Sequence, residues 1–332
     1  MRIAVIGAGS WGTTIASVTS GRTKTTLWSR RPEIAESIRT NRRNPAYLSS
    51  YSLPDELEAT SDLAEAISGV DLIVMAVPSH GYRDTISKAS GLIEGEVAIL
   101  SLTKGIEQHT LLRMTQVTAE AVPSHPSSLI GVLTGPNLAP EVMAGQPTAS
   151  VVAFEEVEVA RRCQDVLMSS SFRIYTNTDV VGCETAGAVK NVLAIAAGMA
   201  KGLGFGDNTL AALVTRALAE LTRLGVALGG EPVTFAGLAG MGDLIATCMS
   251  PTSRNYRVGY GLGQGRTLQE VTDEMQMVAE GIKTTRAVLD LAARAGVEVP
   301  ISEQVGRVLY EEAAPSEAVL ALMSRAPKDE RD

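Results

Sequence analysis

Short apolar runs alternate with amphipathic segments through the first half of the chain. Several runs are nearly continuous in apolar or β-branched residues, which is typical of strands covered on both faces. Strands that alternate with helices indicate βαβ units and a mostly parallel sheet. The predicted strands are Ile3–Ile6, Thr25–Trp28, Asp71–Val77, Val97–Leu102, Leu129–Thr134 and Thr148–Phe154, and the predicted helices include Pro32–Arg39, Asp62–Ile67 and Val157–Leu167.

The pattern changes near residue 180, and no later segment predicts a strand. Asp207 is the predicted N-cap of one later helix, and the Gly229-Gly230 pair is its predicted end. The predicted fold class is α/β, with a doubly wound sheet domain at residues 1–180 and an all-α domain at residues 181–332. The predicted helices of the second domain are Glu184–Lys201, Asn208–Leu228, Leu268–Met275 and Thr284–Ala295.

Composition narrows the class of protein. The chain has 332 residues, 45% apolar and 20% charged, which is the mix of a soluble globular protein. Its net charge of −8 argues against general affinity for nucleic acid or anionic membranes, although a local basic pocket would still bind a small anion. Three cysteines, an odd number, fit a reducing compartment, and the first residues do not predict an export signal. The stretch most similar to a membrane span, Thr185–Ala200, contains Lys190, so we expect a buried helix there. With the cysteine count, this predicts a cytoplasmic protein.

The segment Gly7–Gly12 follows the first predicted strand, begins a helix and reads GAGSWG. In this context Gly7 allows a tight turn, Gly9 lets the backbone approach a pyrophosphate, and Gly12 lets the helix pack close to the strand. The helix N-terminus adds unpaired N–H groups and a positive dipole end. An ordinary glycine-rich turn is the alternative, but the position after the first strand predicts a Rossmann-type dinucleotide site.

The end of the second strand indicates which dinucleotide binds. A carboxylate there would bind the ribose 2′-hydroxyl of NAD, whereas an arginine accommodates the 2′-phosphate of NADP. Residues 27–31 read LWSRR, which places Arg30 and Arg31 at this position without a carboxylate. We therefore predict a preference for NADP(H), with NAD(H) still open. The alternative is that one arginine is solvated and the other covers the adenine face.

Lys190 is the only charged side chain between Glu184 and Lys201. It either extends to the surface as a structural lysine, or faces a cleft with a pKa lowered by desolvation and exchanges a proton. The helix alone does not decide between these interpretations. The neighbouring Asn191 supplies a polar partner and favours the second.

Other segments carry polar residues that suit an anionic substrate. Lys104 ends a predicted strand, where ligands bind in doubly wound sheets. Asp243 is the one carboxylate of a small and apolar stretch. Arg254 between Ser253 and Asn255 could hold a phosphate through its planar fork, or the triplet could simply cap a helix. No metal site is expected, because the three histidines, His80, His109 and His125, lack metal-ligand spacing.

Five specific motifs follow one another along the chain: Thr103-Lys104-Gly105, Gly135-Pro136-Asn137, Gly187-Ala188-Val189-Lys190-Asn191, Gly240-Met241-Gly242-Asp243 and Ser253-Arg254-Asn255. With these motifs the sequence resembles the bacterial NAD(P)-dependent glycerol-3-phosphate dehydrogenases over roughly the whole chain. The resemblance implies reduction of dihydroxyacetone phosphate to sn-glycerol 3-phosphate for glycerophospholipid synthesis, by a homodimer.

The resemblance also implies roles residue by residue. Lys190 is the implied proton donor and acceptor at the substrate oxygen. Asn137 departs from the pattern, because many family members carry serine there, but asparagine retains hydrogen-bonding ability. The implied substrate residues are Lys104, Gly135, Asn137, Lys190, Asp243, Ser253, Arg254 and Asn255. The cofactor residues, with the glycines of the motif, are Gly7, Gly9, Ser10, Trp11, Gly12, Arg30, Arg31, Lys104, Ala139, Arg254, Val278 and Glu280.

Two alternatives stay open on the sequence. A β-hydroxyacid or 6-phosphogluconate dehydrogenase would also pair a dinucleotide domain with a helical domain and a lysine on its first long helix. The Lys104 motif and the Ser253–Asn255 segment argue against it. The alternative from another class is a non-catalytic nucleotide-sensing module, and the lysine beside Asn191 argues against that.

Overall fold

The computed structural model describes residues 1–275, 279–327 and 329–330. Its N-terminal part contains an eight-stranded sheet of order β3-β2-β1-β4-β5-β6-β7-β8. Neighbouring strands are parallel except β6 and β7, which are antiparallel. The strands are β1 Arg2–Ile6, β2 Lys24–Trp28, β3 Glu58–Thr60, β4 Leu72–Met75, β5 Ala98–Ser101, β6 Ile130–Thr134, β7 Thr148–Ala153 and β8 Phe172–Asn177.

Helices cover this sheet on both faces. Along β1 the side chains of Ile3 and Val5 enter one hydrophobic cluster, while Ala4 and Ile6 enter another on the opposite face. This alternation follows from the two-residue repeat of a strand. The helices of this part are α1 Ser10–Ser20, α2 Pro32–Asn41, α3 Leu63–Ile67, α4 Tyr82–Ser90, α5 Met114–Ala121, α6 Ala139–Met143 and α7 Val157–Leu167.

The predicted α/β fold is confirmed, as are the six predicted strands and the helices predicted at Pro32–Arg39, Asp62–Ile67 and Val157–Leu167. The sequence analysis missed the two edge strands, β3 and β8. β3 has only three residues and no apolar run. β8 reads FRIYTN, and its first four residues alternate between buried and exposed, which is the half-buried pattern of an edge strand.

Beyond residue 180 the described residues contain helices and no strand, as predicted. A long helix, α8, lies at the centre of this part, and 20 of its 23 residues are buried. A π-helical turn, Leu238–Gly242, precedes α11. The helices are α8 Val180–Gly202, α9 Asp207–Ala227, α10 Pro232–Phe235, α11 Asp243–Met249, α12 Arg254–Gly263, α13 Leu268–Asp273, α14 Glu280–Ala295, α15 Pro300–Tyr310 and α16 Pro315–Met323.

Glycines let α8 and α12 pack backbone against backbone. A Cβ at Gly259 would lie 1.9 Å from the carbonyl oxygen of Ile195, and one at Gly198 would lie 2.1 Å from that of Tyr256. Val180–Gly202 and Pro232–Met249 are long and apolar enough to span a membrane by length and composition. In the most apolar window of α8, however, 94% of the residues are buried inside the protein, so the predicted buried helix is confirmed.

A buried carboxylate joins α8 to the sheet domain's α5. Glu184 accepts hydrogen bonds from the Thr115 backbone N–H at 2.8 Å, the Thr115 hydroxyl at 2.5 Å and Arg113 Nη1 at 2.9 Å. Burial raises the pKa of Glu184, although Arg113 and Thr115 oppose that effect. The start of α8 is thereby fixed to the N-terminus of α5.

One capping prediction is wrong and another is confirmed. Gly206, not Asp207, is the N-cap of α9, because the extended backbone that precedes the helix ends at Gly206. Asp207 is the first helical residue, where its carboxylate still faces the positive end of the helix dipole. At the other end Gly229 has a φ of +97°, the left-handed conformation that terminates helices, as predicted.

Candidate active site

The glycine motif forms the turn between β1 and α1. Gly7 has a φ of +119°, and a Cβ there would lie 2.7 Å from the carbonyl oxygen of Ala76. A Cβ at Gly12 would lie 1.9 Å from the carbonyl oxygen of Gly7, so α1 can pack on this turn only without a side chain. A Cβ at Gly9 would meet no described atom within 4 Å. Gly9 therefore borders open space at the N-terminus of α1, as a phosphate-binding turn requires.

A buried asparagine, Asn44, stabilises the glycine turn through hydrogen bonds. Asn44 donates through Nδ2 to the Ala8 carbonyl oxygen and the Thr13 hydroxyl, both at 2.9 Å. Its Oδ1 accepts from the backbone N–H groups of Ala46 and Tyr47. Sequence reasoning missed Asn44, because its partners come from α1 and from its own loop. The contact fixes the loop that carries Tyr47 beside the glycine turn.

Arg30 and Arg31 follow β2 and are both solvent-exposed. The Arg31 guanidinium lies 5.8 Å from the centre of the Tyr47 ring, a cation–π distance. Trp11, in the first turn of α1, packs edge-on against Phe172 at 6.1 Å between ring centres. Its indole N–H is buried and has no hydrogen-bond partner in the described part of the chain.

Three further cofactor candidates begin helices near the same edge of the sheet. Ser10 begins α1, and Ala139 begins α6, the helix that follows β6. Glu280 begins α14 and accepts hydrogen bonds from the backbone N–H and the hydroxyl of Ser79, which follows β4. Val278 lies outside the described residues.

Two lysines share one carboxylate at the centre of the candidate site. Asp243 is 1% exposed at the start of α11. Its Oδ1 accepts from Lys190 Nζ on α8, and its Oδ2 accepts from Lys104 Nζ at 2.8 Å. Lys190 also donates to the hydroxyl of Thr247 at 2.7 Å. Lys190 therefore does not extend to the surface, and the structural-lysine interpretation is wrong.

Burial and charge set the ionisation of this cluster. The pKa of Lys190 is lowered to about 7, mainly by burial and also by repulsion from the nearby Lys104, while Asp243 opposes both effects. Burial alone would raise the pKa of Asp243, but Lys104 and Lys190 outweigh burial and the net shift is downward. An amine with a pKa near neutrality can both give and take a proton under physiological conditions.

Thr247 is the contact that sequence reasoning missed. It lies four residues after Asp243 on α11, so the two side chains share one face of the helix. Its hydroxyl donates to the Asp243 carbonyl oxygen at 2.6 Å, so it can accept from Lys190. The four-residue spacing between Asp243 and Thr247 was the feature of the sequence that could have indicated this contact.

Lys104 lies just after β5 and is held by the turn that follows β6. Besides Asp243, it donates to Asn137 Oδ1 at 2.8 Å and to the Gly135 carbonyl oxygen at 3.1 Å. Gly187 of α8 makes room for this arrangement, because a Cβ there would lie 2.8 Å from Thr134 Oγ1 and 3.5 Å from Lys104 Cγ. The carboxyl ends of β5 and β6 and the middle of α8 thus meet at one point.

The residues of the Ser253–Asn255 segment have different environments. Ser253 is the N-cap of α12, as the capping interpretation predicted, and accepts from the Tyr256 N–H at 3.3 Å. Asn255 is buried, donates to Asn191 Oδ1 at 2.9 Å and accepts from the Gly281 N–H at 2.9 Å. Arg254 is exposed and interacts electrostatically with Glu280.

Fold and site together define a class of protein. Sheets of this topology with such a glycine turn bind dinucleotides at the carboxyl ends of their strands. The buried lysine of lowered pKa lies at that same edge, which suits an enzyme that couples cofactor chemistry to proton transfer. The class is the dinucleotide-dependent oxidoreductases.

Comparison with known proteins gives the family. The family model for the NAD-dependent glycerol-3-phosphate dehydrogenase N-terminus matches residues 2–160, and the model for the C-terminus matches residues 179–320. The chain belongs to this family.

Similar proteins span the whole chain. A glycerol-3-phosphate dehydrogenase [NAD(P)+] of Thermobifida fusca is 50% identical over 99% of this chain and 98% of its own length. A second one from Sphingopyxis alaskensis is 48% identical, with the same coverage. The crystal structure of the glycerol-3-phosphate dehydrogenase of Coxiella burnetii is 38% identical and superposes with a TM-score of 0.92, covering 98% of this chain and 99% of that one.

Proposed function

We propose that this protein reduces dihydroxyacetone phosphate to sn-glycerol 3-phosphate with NADPH or NADH, and that Lys190 exchanges the proton. The observation that carries the proposal is the buried Lys190–Asp243–Lys104 cluster at the cofactor edge of the sheet. The names of the full-length relatives support the substrate and the nicotinamide cofactor.

The residues around the glycine turn fit a dinucleotide. Gly9 borders open space at the start of α1, and the indole N–H of Trp11 is buried without a described partner. We assign the cofactor to the glycine turn and to Ser10, Trp11, Arg30, Arg31, Lys104, Ala139, Arg254 and Glu280. Val278 belongs to the same set on resemblance alone. The exposed Arg30 and Arg31 favour NADPH, since the LWSRR segment at the end of β2 contains no carboxylate for a ribose 2′-hydroxyl.

The substrate residues divide into two groups. Arg254, Ser253 and Asn255 supply donors for the phosphate, and Lys104, Asp243 and Lys190 surround the carbonyl end. Gly135 and Asn137 belong to the second group through their hydrogen bonds to Lys104. Anchoring the phosphate lets remote binding energy orient the reacting carbonyl.

A reduced nicotinamide cofactor held at the glycine turn would supply the hydride for C2 of the substrate. Lys190, while protonated, donates a hydrogen bond to the C2 oxygen and then transfers its proton there. Asp243 and Thr247 hold the Lys190 amine in place through its other hydrogens. In the reverse reaction the neutral amine accepts the proton from the C2 hydroxyl.

Four further assignments belong to this proposal. The domain division lies near residue 180, since β8 ends at Asn177 and α8 begins at Val180. The protein is a cytoplasmic homodimer, with an interface supplied by the apolar helices after residue 180. Its product supplies glycerophospholipid synthesis.

The test is oxidation of NADPH and of NADH by purified protein with dihydroxyacetone phosphate. We expect turnover with both and a higher kcat/KM for NADPH. Lys190→Ala should abolish most turnover while NADPH still binds. Lys201→Ala is the matched control, because Lys201 lies on the same helix but is solvent-exposed. Turnover of Lys190→Ala near that of the control would remove the proton-transfer role, and folded protein that binds NADPH without turnover would redirect the search to hydroxyacid substrates.

A further inference from the structure

Asn137 can hold Lys104 in only one orientation of its amide. A lysine ammonium donates hydrogen bonds and accepts none, so the atom 2.8 Å from Lys104 Nζ must be the amide oxygen. The amide nitrogen then points the other way and donates to Ser150 Oγ at 3.2 Å. Lys104, Asn137 and Ser150 therefore form one chain of hydrogen bonds with a fixed direction.

The end of this chain is anchored in the sheet. Ser150 is fully buried in β7, the strand antiparallel to β6. Gly135, with a φ of +129°, brings the turn after β6 down on to β7, since a Cβ there would lie 3.0 Å from Ser150 Cα. The Ser150 hydroxyl can therefore reach Asn137 without any movement of the backbone.

We propose that Asn137 and Ser150 are positioning residues that hold Lys104 in the active site, so that Asn137 acts through Lys104 and not by contact with the substrate. This inference rests on the proposed function, because it assumes that the cluster around Lys104 performs the reaction. It differs from the role that family resemblance implies, which is a direct substrate contact.

A displaced Lys104 would change the chemistry at Lys190. Among the described residues, Asp243 and Lys104 shift the pKa of Lys190, and Lys190 in turn lowers the pKa of the Cys248 thiol. Lys104 lowers the pKa of Lys190 by repulsion. If the hold on Lys104 is lost, this repulsion weakens and the pKa of Lys190 rises. A direct contact between Asn137 and the substrate predicts a higher KM without that change.

The experiment measures kcat/KM for dihydroxyacetone phosphate against pH in the wild type, Asn137→Ala, Ser150→Ala and the double variant. We expect each single variant to lower kcat/KM on the low-pH plateau, where Lys190 is protonated, Ser150→Ala by about three- to tenfold, the loss typical of one hydrogen bond. Both should move the pH midpoint of reduction upward. In the Asn137→Ala background, Ser150→Ala should change kcat/KM by less than about twofold, because the chain is already broken.

Ser150→Thr is the conservative control, since it retains the hydroxyl and should keep the wild-type midpoint. If Ser150→Ala fails to fold, Asn137→Ala still tests the proposal, because an unchanged pH midpoint in that variant would contradict it. Independent effects of the two substitutions, or a raised KM with an unchanged midpoint, would overturn it. Wild-type protein without turnover would instead remove the proposed function itself.

Discussion

Lys190 should give the two directions of the reaction opposite pH dependences. Reduction needs the ammonium form, so its kcat/KM should fall as the pH rises through the pKa of Lys190. Oxidation needs the neutral amine, so its kcat/KM should rise through the same pH. Because burial and Lys104 lower that pKa to about 7, both changes should occur near neutrality.

The size of the effect follows from the ionisation equilibrium. Lowering the Lys190 pKa from 10.5 to about 7 corresponds to about 5 kcal/mol of preference for the neutral amine. At about pH 9 the ammonium fraction is reduced roughly a hundredfold, so reduction should slow by about that factor. An exposed lysine would remain almost fully protonated at that pH.

The assay is kcat/KM for each carbon substrate at saturating cofactor across this pH range. The substrate phosphate also titrates, with a second pKa of about 6. Its ionisation affects both directions in the same sense, whereas Lys190 affects them in opposite senses, so the two are separable. Lys201→Ala should reproduce both wild-type profiles. Parallel profiles in the two directions, or midpoints near the pKa of an ordinary lysine, would refute the reasoning.

Three further predictions concern the phosphate anchor, the cofactor and the fold. Arg254→Ala should raise the KM for dihydroxyacetone phosphate by at least about tenfold, since a charge-assisted hydrogen bond is lost, and an unchanged KM in steady-state kinetics would exclude Arg254 as the anchor. Arg31→Ala should lower the ratio of kcat/KM for NADPH to that for NADH, and a constant ratio would show that Arg31 does not read the 2′-phosphate. Glu184→Ala should destabilise the protein by about 3–5 kcal/mol, because Arg113 loses its buried partner, and urea unfolding measures this loss.

The interior strands were predictable because the sheet buries them on both faces. β4 and β5 are buried at every position, and their sequences are apolar throughout except for Ser101 at the end of β5. The edge strands lack that constraint. In β3, Glu58–Thr60, pairing with β2 alone makes the strand, and no apolar run signals it. In β8 the alternation in FRIYTN was a usable signal, since its exposed side chains face solvent.

The sequence identified individual residues of the candidate site, but it did not predict the contacts between them. Lys190 stood out because it is the one charge on an apolar helix, and Asp243 because it is the one carboxylate in an apolar stretch. The sequence could not show that they form an ion pair, since 52 residues separate them along the chain. Asn44 did not stand out in this way, because it is a polar residue in a polar segment. Its importance comes from the Ala8 carbonyl oxygen that it reaches across the fold.

One carboxylate shared by two lysines suits reversible proton transfer. While Lys190 is protonated, the cluster of Asp243, Lys190 and Lys104 carries one net positive charge, which favours an anionic substrate. After Lys190 gives up its proton, Asp243 still has Lys104 as a cationic partner, so no buried charge is left unpaired. A site with Lys190 and Asp243 alone would leave a buried carboxylate uncompensated at that moment. Lys104 therefore stabilises the neutral state of Lys190 twice, by direct repulsion of its ammonium form and by compensation of the charge that remains.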